Sequence, residues 1–565
     1  MSLIKPNPLV RLMPSLTDVA FLMPVVFLFT RMEGLRSLLG DGDTGFHIRA
    51  GDWIRAHGAV PQQDIFSFTM PDQPWFAWEW LWDVGASFLH EKWGLGGVAL
   101  ANLFLISLTF ALLYRLLLRR CGNSIVSIGL TVLATAGSTI HWLARPHLVT
   151  LLLTVVFMAI LERVREGKTA LLWWLPVLTV AWTNLHGGFI VGIVILGTYA
   201  IGFLLRAAVA ADRQDRMAAA KASLPYLAAA AGCLAASLVN PYFYELHVHI
   251  VKYLGDSYSM NHIQEFQSAN FHHSMAFFLE TMLVLGTGAA AWLALRKQFA
   301  EALLIAVWAH GALIAARNIP IFMIIAAPAI GLATVACFRA LQGARMAAWL
   351  SRFLAWFEET AGDILPIEQI RRVHLVSAAV LVAIGIGMNS PRAGLKLKAD
   401  YDPKGYPDRA LAILNPSQRV FTNDEWGDYL IYRLSPVGLK VYVDGRSDFY
   451  GEKFGEAYGD VMNVKYDWEK QLRQYGVDTI LLPVATPLTG AVKESRNWRV
   501  VYDDGSAIIF RPVALAAAQG QEISTGGVIG DGDSNGREGR GGNVKRLRSI
   551  LSEGRQFQTS GGQKL

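Results

Sequence analysis

Two carboxylates lie close together at the end of the first apolar run, in the stretch SLLGDGDTGFHIRAGDWIRAHG. Asp41 and Asp43 stand in a Gly-Asp-Gly-Asp turn, and His47 and Arg49 follow on the first turn of a predicted interfacial helix, residues 46–57. A solvated turn explains the two aspartates on pattern alone, because Gly and Asp are common turn residues. The alternative is a site in which one carboxylate is a general base or the pair holds a divalent metal, Mg²⁺ or Mn²⁺.

The chain continues into an aromatic stretch, PWFAWEWLWD, which contains Glu79 and ends at Asp83. The segment 40–95 is too rich in Trp and Phe for a plain loop, and we expect it to lie flat on a membrane surface. A carboxylate in such a partly dry setting can have a raised pKa, which suits a general base. This setting favours a chemical site over a solvated turn.

The composition is typical of a membrane protein. Of 565 residues, 53% are hydrophobic and 17% are charged, whereas a soluble globular chain carries about 25% charged residues. The 17 Trp residues suit belts at the membrane interface. The sequence contains no basic groove for nucleic acid, no phosphate-binding loop and no dinucleotide fingerprint.

Apolar stretches long enough to cross about 30 Å of hydrocarbon recur along the first 390 residues. The predicted fold class is a polytopic α-helical membrane protein with about eleven transmembrane helices. Their predicted ranges are 16–36, 97–117, 124–142, 147–162, 170–186, 189–209, 223–241, 276–295, 301–317, 320–339 and 373–390.

Lys and Arg concentrate in alternate loops, which indicates the orientation of the chain in the membrane. These basic loops are 115–120, 163–168, 206–221, 296–297 and 339–372. By the positive-inside rule they are cytoplasmic, so the N-terminus is predicted inside and everything after the last span outside. The external face then collects 40–95 and the polar turns HWLARPHL, NLHGGF, NPYFYELHVH and ARNIP.

Each polar turn has an ordinary structural explanation when it is taken alone. Arg145 before Pro146 can end a helix and extend its charge to water, and Asn184 and His186 can cap helices. Taken together, the turns favour a site for an anionic ligand, because polar groups at span ends usually line a cavity. Arg145 and Arg317 are the predicted phosphate partners.

The composition changes near residue 400, and a small external α/β domain is predicted over 400–513, after a transmembrane domain over 1–395. KVYVDG is typical of a strand, and WRVVYDDGSAIIFRP of a closing hairpin. The stretch from 516 to 565 is rich in Gly, Ser, Gln and charge, which predicts a disordered tail.

The order of these elements resembles that of the GT-C superfamily of membrane glycosyltransferases. That superfamily includes protein O-mannosyltransferases, aminoarabinose transferases and the catalytic subunit of oligosaccharyltransferase. The resemblance covers residues 15–513 and is strongest in 40–82. It is carried by the aspartate-bearing external loop and the motifs PWFAWEWL, ARPHL, NLHGGF, NPY and ARNIP, followed by the α/β domain.

The resemblance implies an enzyme that takes a sugar from a polyprenyl-phosphate carrier at the outer face of the inner (cytoplasmic) membrane. It implies Asp43, with Asp41 as its partner, as the general base for the acceptor or as a ligand in the metal-dependent branch. The residues predicted to contact the donor phosphate or sugar are His47, Arg49, Glu79, Arg145, His147, Asn184, His186 and Arg317.

Acceptor contacts are predicted in the C-terminal region. The stretch NDEWGDYLIY, with Trp426 and Asp428, is similar to the Trp-Trp-Asp-Tyr-Gly motif of oligosaccharyltransferases, but its residue order differs, which counts against peptide glycosylation. In VDGRSDFYG, Asp444 and Arg446 either contact the acceptor or form an internal ion pair. A structural turn explains Asp428 equally.

The sequence therefore predicts an inverting glycosyltransferase with a polyprenyl-phosphate sugar as donor and a lipid, glycan or protein as acceptor. Two alternatives stay open. A transporter or flippase of lipid-linked glycans predicts ionisable residues at mid-bilayer and symmetric broken helices. A non-enzymatic envelope assembly protein predicts that Asp43 tolerates replacement by Asn.

Overall fold

The structure is a computed structural model that describes residues 8–342, 347–392 and 394–513. The predicted disordered tail, 516–565, lies outside the described residues. The helices before residue 390 are α1 (Leu16–Arg31), α2 (Asp43–His57), α3 (Trp80–Cys121), α4 (Ser124–Ser138), α5 (His147–Arg165), α6 (Trp174–Leu185), α7 (Ile190–Ala208), α8 (Arg213–Ala236), α9 (Glu245–Leu254), α10 (Ser257–His262), α11 (Ala276–Leu295), α12 (Phe299–Ile314), α13 (Ile319–Gln342), α14 (Ala348–Glu368) and α15 (Leu375–Met388).

Apolar helices dominate this part of the chain. Among the described residues, eight helical segments are long and apolar enough to cross a membrane, and three shorter apolar helices accompany them. Each of the eleven predicted ranges overlaps one of these segments, because a span is specified locally by its length and hydropathy. The chain is a multi-pass helical membrane protein, and the number of crossings and their direction stay predictions.

The helix α2 lies across the start of α3 and against the C-terminal region. Glycines on α2 permit this approach: a Cβ added to Gly51 would lie 1.9 Å from the carbonyl oxygen of Asp83, and one added to Gly45 would lie 2.6 Å from Cβ of Tyr432. Any larger side chain would push the neighbouring backbone away. The aspartates at the start of α2 are therefore held at the junction of three parts of the chain.

The C-terminal region combines short helices with a four-stranded sheet of order β1-β2-β4-β3. Strand β1 is parallel to β2, and the other pairs are antiparallel. The predicted closing hairpin is present as β3 and β4. The elements of this region are β1 (Val420–Phe421), α16 (Asp424–Leu434), α17 (Ser447–Met462), α18 (Trp468–Gln474), β2 (Thr479–Pro483), α19 (Pro487–Glu494), β3 (Trp498–Asp503) and β4 (Ala507–Pro512).

The prediction of a strand at KVYVDG is wrong. Val441 makes only isolated parallel bridges, to Ser67 and Val420. Its backbone is hydrogen-bonded to residues 40–95, which we name the first external segment after its predicted position. The N–H of Val441 donates to the carbonyl of Phe66, and its carbonyl accepts from the N–H of Phe68. These single bridges do not extend into the continuous ladder of hydrogen bonds that a strand needs.

The first external segment and the C-terminal region share a hydrophobic core. Phe66 and Trp75 of the segment are buried in one cluster with Leu430 and Ile431 of α16. Burial of large aromatic side chains is the main stabilising contribution of such a contact. This packing brings the start of α2 next to the start of α16.

Candidate functional site

The carboxylates of Asp41 and Asp43 converge on one guanidinium, that of Arg145. Asp41 Oδ2 lies 3.0 Å from Nη1 and Asp43 Oδ2 lies 2.7 Å from Nη2. Glu265, from the loop after α10, completes the cluster with Oε1 at 2.6 Å from Nη1. Asp43 is the first residue of α2, where the positive end of the helix dipole favours an anion. The structure thus brings together the predicted aspartates and the predicted arginine.

A second acid approaches Asp43 from the C-terminal region. Asn423 caps α16 by accepting from the N–H of Trp426, and one turn later Asp428 faces α2. The carboxyls of Asp428 and Asp43 are hydrogen-bonded to each other. The N–H of Gly445 donates to both oxygens of Asp428 at 3.1 Å. Asp43 is therefore held between Arg145 on one side and Asp428 on the other.

Burial and neighbouring charges shift the pKa values of the acids in this cluster in different directions. Burial, with repulsion from Asp43, raises the pKa of Asp428 well above its usual range, which favours its protonated form as the donor in the hydrogen bond to Asp43. Burial raises the pKa of Asp41 to about 7, although the charge of Arg145 acts in the opposite direction. Burial would also raise the pKa of Glu265, but the Arg145 guanidinium dominates and brings it down to about 2.

A chain of imidazole and carboxyl groups continues from this cluster. Glu79 lies between two histidines, with Oε2 3.6 Å from Nε2 of His47 and Oε1 3.5 Å from Nε2 of His186. The other ring nitrogen of each histidine, Nδ1, has a hydrogen-bond partner that fixes the ring. His47 Nδ1 lies 2.6 Å from Asp83 Oδ1, and His186 Nδ1 accepts from the N–H of Gly188 at 3.0 Å. Both rings therefore turn Nε2 toward Glu79.

The protonation states along this chain differ. Burial raises the pKa of Glu79 to about 8, despite the nearby charge of His47. Burial would lower the pKa of His47, but the charge and hydrogen bond of Asp83 outweigh it and raise that pKa. Burial, with the charge of Arg317, lowers the pKa of His186 well below its usual range. A neutral His186 with Nδ1 as acceptor carries its proton on Nε2, facing Glu79.

Arg317 is the cation of the cluster that carboxylates leave available. It is half-buried beside the ring of Phe266, with its guanidinium carbon 4.7 Å from the ring centroid. Within the described ranges, no carboxylate lies at ion-pair distance from Arg317, in contrast to Arg145. Its charge lowers the pKa values of His186 and Glu265.

Three other predicted donor contacts are engaged elsewhere in the fold. Arg49 donates through Nε to the carbonyl of Tyr432 at 2.7 Å, and it pairs with Asp52. His147 is buried, with Nε2 2.8 Å from the carbonyl of His141. Asn184 accepts from the indole N–H of Trp80 at 2.7 Å, which ties α6 to the start of α3. These contacts position the elements around the cluster.

The predicted acceptor residues other than Asp428 are buried inside the C-terminal region. Trp426 donates its indole N–H to the carbonyl of Gly405 at 2.7 Å. Asp444 and Arg446 form the internal ion pair, at 2.7 Å. Arg446 also reaches Asp64 of the first external segment at 2.8 Å. This buried bridge fastens the segment to the C-terminal region and holds Asp428 beside Asp43.

Sequence reasoning missed Glu265 and Gly445 and did not place Asp428 beside Asp43. Glu265 falls in a loop that is predicted to be external and has no spacing pattern. Gly445 contributes only a backbone N–H and the absence of a side chain. The one sequence signal that pointed to Glu265 was the predicted position of its loop on the external face.

The residues present do not fit the divalent metal that the sequence resemblance implies. The guanidinium of Arg145 lies between the oxygens of Asp41, Asp43 and Glu265, where a dication would meet a like charge. In the part of the chain that the structure describes, no three His, Cys, Asp or Glu side chains are arranged to hold a metal ion. The donor set is that of a guanidinium site.

Comparisons with known proteins bear on the fold. No protein-family model matches the sequence, and no curated protein matches it. Among solved structures, the archaeal oligosaccharyltransferase AglB from Archaeoglobus fulgidus, in complex with an inhibitory peptide and a dolichol-phosphate, matches at 11% identity with a TM-score of 0.50. That match covers 87% of this chain and 73% of AglB.

ArnT from Cupriavidus metallidurans, bound to undecaprenyl phosphate, matches at 16% identity with a TM-score of 0.46, over 88% of this chain and 98% of that one. The assignment of the fold depends on the match to AglB. At such identities the likeness concerns the fold alone. The predicted resemblance is thus supported at the level of the fold, which this chain shares with AglB.

Proposed function

We propose that the protein is an inner-membrane glycosyltransferase that moves a sugar from a polyprenyl-phosphate donor to a lipid, glycan or protein acceptor at the external face. The observation that carries this proposal is the carboxylate of Asp43, held between the guanidinium of Arg145 and the carboxyl of Asp428. The fold match to AglB, which was solved with a dolichol-phosphate, supports a lipid-phosphate donor.

In the proposed reaction Asp43 accepts the proton of an acceptor hydroxyl. The hydroxyl oxygen attacks the anomeric carbon from the side opposite the phosphate, and the bond between that carbon and the phosphate oxygen breaks. The polyprenyl phosphate leaves with the bonding electrons, so the configuration inverts. A positioned base contributes about 10²- to 10⁴-fold to the rate of such a step.

Two neighbours support these roles. Asp428, whose pKa burial raises well above its usual range, is hydrogen-bonded to Asp43 and orients it. Arg317, free of ion pairs among the described residues, is the cation that neutralises the departing phosphate. Fixed charges in a partly dry site stabilise such a leaving group strongly.

The placement of the charges favours this proposal over a transporter. Asp41, Asp43, Glu79, Arg145 and Glu265 all lie outside the helical segments that could cross a membrane. A transporter would need such groups near mid-bilayer. With the N-terminus inside, as the basic loops predict, this cluster faces the periplasm. A non-enzymatic assembly protein would not need a carboxylate that Arg145 contacts on one side and Asp428 on the other.

The test is turnover with purified, reconstituted protein. A panel of radiolabelled polyprenyl-phosphate sugars serves as donors and a membrane extract supplies acceptors. We expect wild type to transfer label and Asp43→Asn to lose that transfer. Absence of transfer from every donor by wild type would favour the transporter or assembly role. Equal transfer by the variant would leave Asp43 as a turn residue.

A further inference from the structure

We infer that Arg145 is the built-in cation of this site and performs the electrostatic work that a divalent metal would otherwise supply. The inference rests on the proposed function, since it concerns how Asp43 is held as a base. It follows from the geometry around Arg145 and assigns this residue a positioning role, acting through Asp43.

The guanidinium is enclosed by negative charge. Nη1 lies between Asp41 and Glu265, at 3.0 and 2.6 Å, and Nη2 lies 2.7 Å from Asp43. A Mg²⁺ ion bound to a carboxylate lies about 2.0–2.1 Å from its oxygen. An ion on Oδ2 of Asp43, the oxygen that Arg145 contacts, would compete with the guanidinium for the same atom, and the two positive charges would repel each other.

An arginine suits this role better than any other side chain. Its guanidinium stays charged at all accessible pH values, and its planar fork presents several donors in fixed directions. Burial disfavours the charge, but Asp43, Glu265 and Asp41 outweigh it and raise the pKa of Arg145 further. A fixed guanidinium in contact with several carboxylate oxygens holds those carboxylates in defined positions.

The same geometry separates the two arginines that the sequence had grouped as phosphate partners. Arg145 is occupied by three carboxylates, whereas Arg317 only stacks on Phe266 in the described structure. Loss of Arg145 should therefore release the base from its position and lower kcat. Loss of Arg317 should change the affinity for the donor.

The first experiment compares kcat and KM of wild type, Arg145→Gln, Arg145→Lys and Arg317→Gln. We expect Arg145→Gln to lower kcat about 10²-fold at nearly unchanged KM for the donor, because misplacement of a catalytic group by about 1 Å costs about that factor. Arg145→Lys, which keeps one positive charge, should recover part of kcat. The matched control Arg317→Gln should instead raise KM. A kcat of Arg145→Gln within threefold of wild type would overturn the inference.

The second experiment does not depend on turnover. Binding of Mn²⁺ to the wild-type protein is measured by electron paramagnetic resonance of the free ion, and transfer is assayed with and without a chelator. We expect no stoichiometric Mn²⁺ binding and unchanged transfer. One tightly bound Mn²⁺ per chain that Asp43→Asn removes, or transfer abolished by the chelator, would overturn the role of Arg145. If wild type transfers nothing under either condition, the proposed function fails while the Mn²⁺ measurement still decides the inference.

Discussion

The contact between Asp43 and Asp428 can be disturbed without removing either acid, by Gly445→Ala. A Cβ at this position would lie 2.5 Å from Oδ1 of Asp43 and 2.6 Å from Oδ2 of Asp428, whereas ordinary contacts begin at 3.4 Å. One or both carboxyls must therefore move by about 0.8–0.9 Å. The backbone at Gly445 has no positive φ, so the alanine itself is not strained.

A displacement of about 1 Å in a catalytic group can cost about 100-fold in rate, or about 2.7 kcal/mol of activation free energy. We expect kcat/KM of Gly445→Ala to fall by about that factor in the reconstituted transfer assay. The matched control is Gly490→Ala, in α19, where an added Cβ meets nothing within 4 Å. If Gly445→Ala retains turnover within threefold of this control, the reasoning about the Asp43–Asp428 contact is wrong.

Three further predictions concern single side chains. Asp43→Asn should lower kcat about 10²- to 10⁴-fold in the transfer assay, because an amide cannot accept the acceptor proton; a loss under threefold would contradict a base at this position. Arg317→Gln should weaken donor binding, measured as KM for the polyprenyl-phosphate sugar, by about tenfold, since one charge-assisted hydrogen bond is lost; an unchanged KM would remove Arg317 from the donor site. Glu79 has a pKa raised to about 8 from an ordinary value of 4.5, so the folded protein holds a proton there that the unfolded chain has released. Its contribution to stability is thus present below about pH 4.5 and is lost as the pH rises to 8. Glu79→Gln should flatten the fall in melting temperature between pH 5 and 8, and an identical slope in wild type and variant would show that Glu79 does not titrate in this window.

The roles of the residues in this cluster cannot be assigned from their residue types alone. Arg145 and Arg317 both lie in short turns between helices, yet one neutralises protein carboxylates and the other has its guanidinium stacked on an aromatic ring. Asp41 and Asp43 are separated by one residue, yet only Asp43 reaches Asp428. Geometry within a few ångströms decides these roles.

The sequence by itself determines the helical membrane architecture. Length and hydropathy of each apolar run are local properties, and water-free hydrocarbon accepts only a backbone that satisfies its own hydrogen bonds. The helix near residues 46–57 and the hairpin of β3 and β4 were also predictable, because turn residues and apolar periodicity are local. The prediction of α2 missed only its first turn, which begins at Asp43.

The tertiary structure alone decides the site. Its residues come from four separate parts of the chain: Asp43, Arg145, Glu265 and Asp428. No sequence pattern around any of them indicates which of the others it contacts. They meet because α2 packs on α16 through glycines, and because the buried bridge of Arg446 fastens the first external segment to the C-terminal region. Burial and neighbouring charges then shift the pKa values of Glu265 and Asp428, and both are properties of the packed molecule, not of the residue.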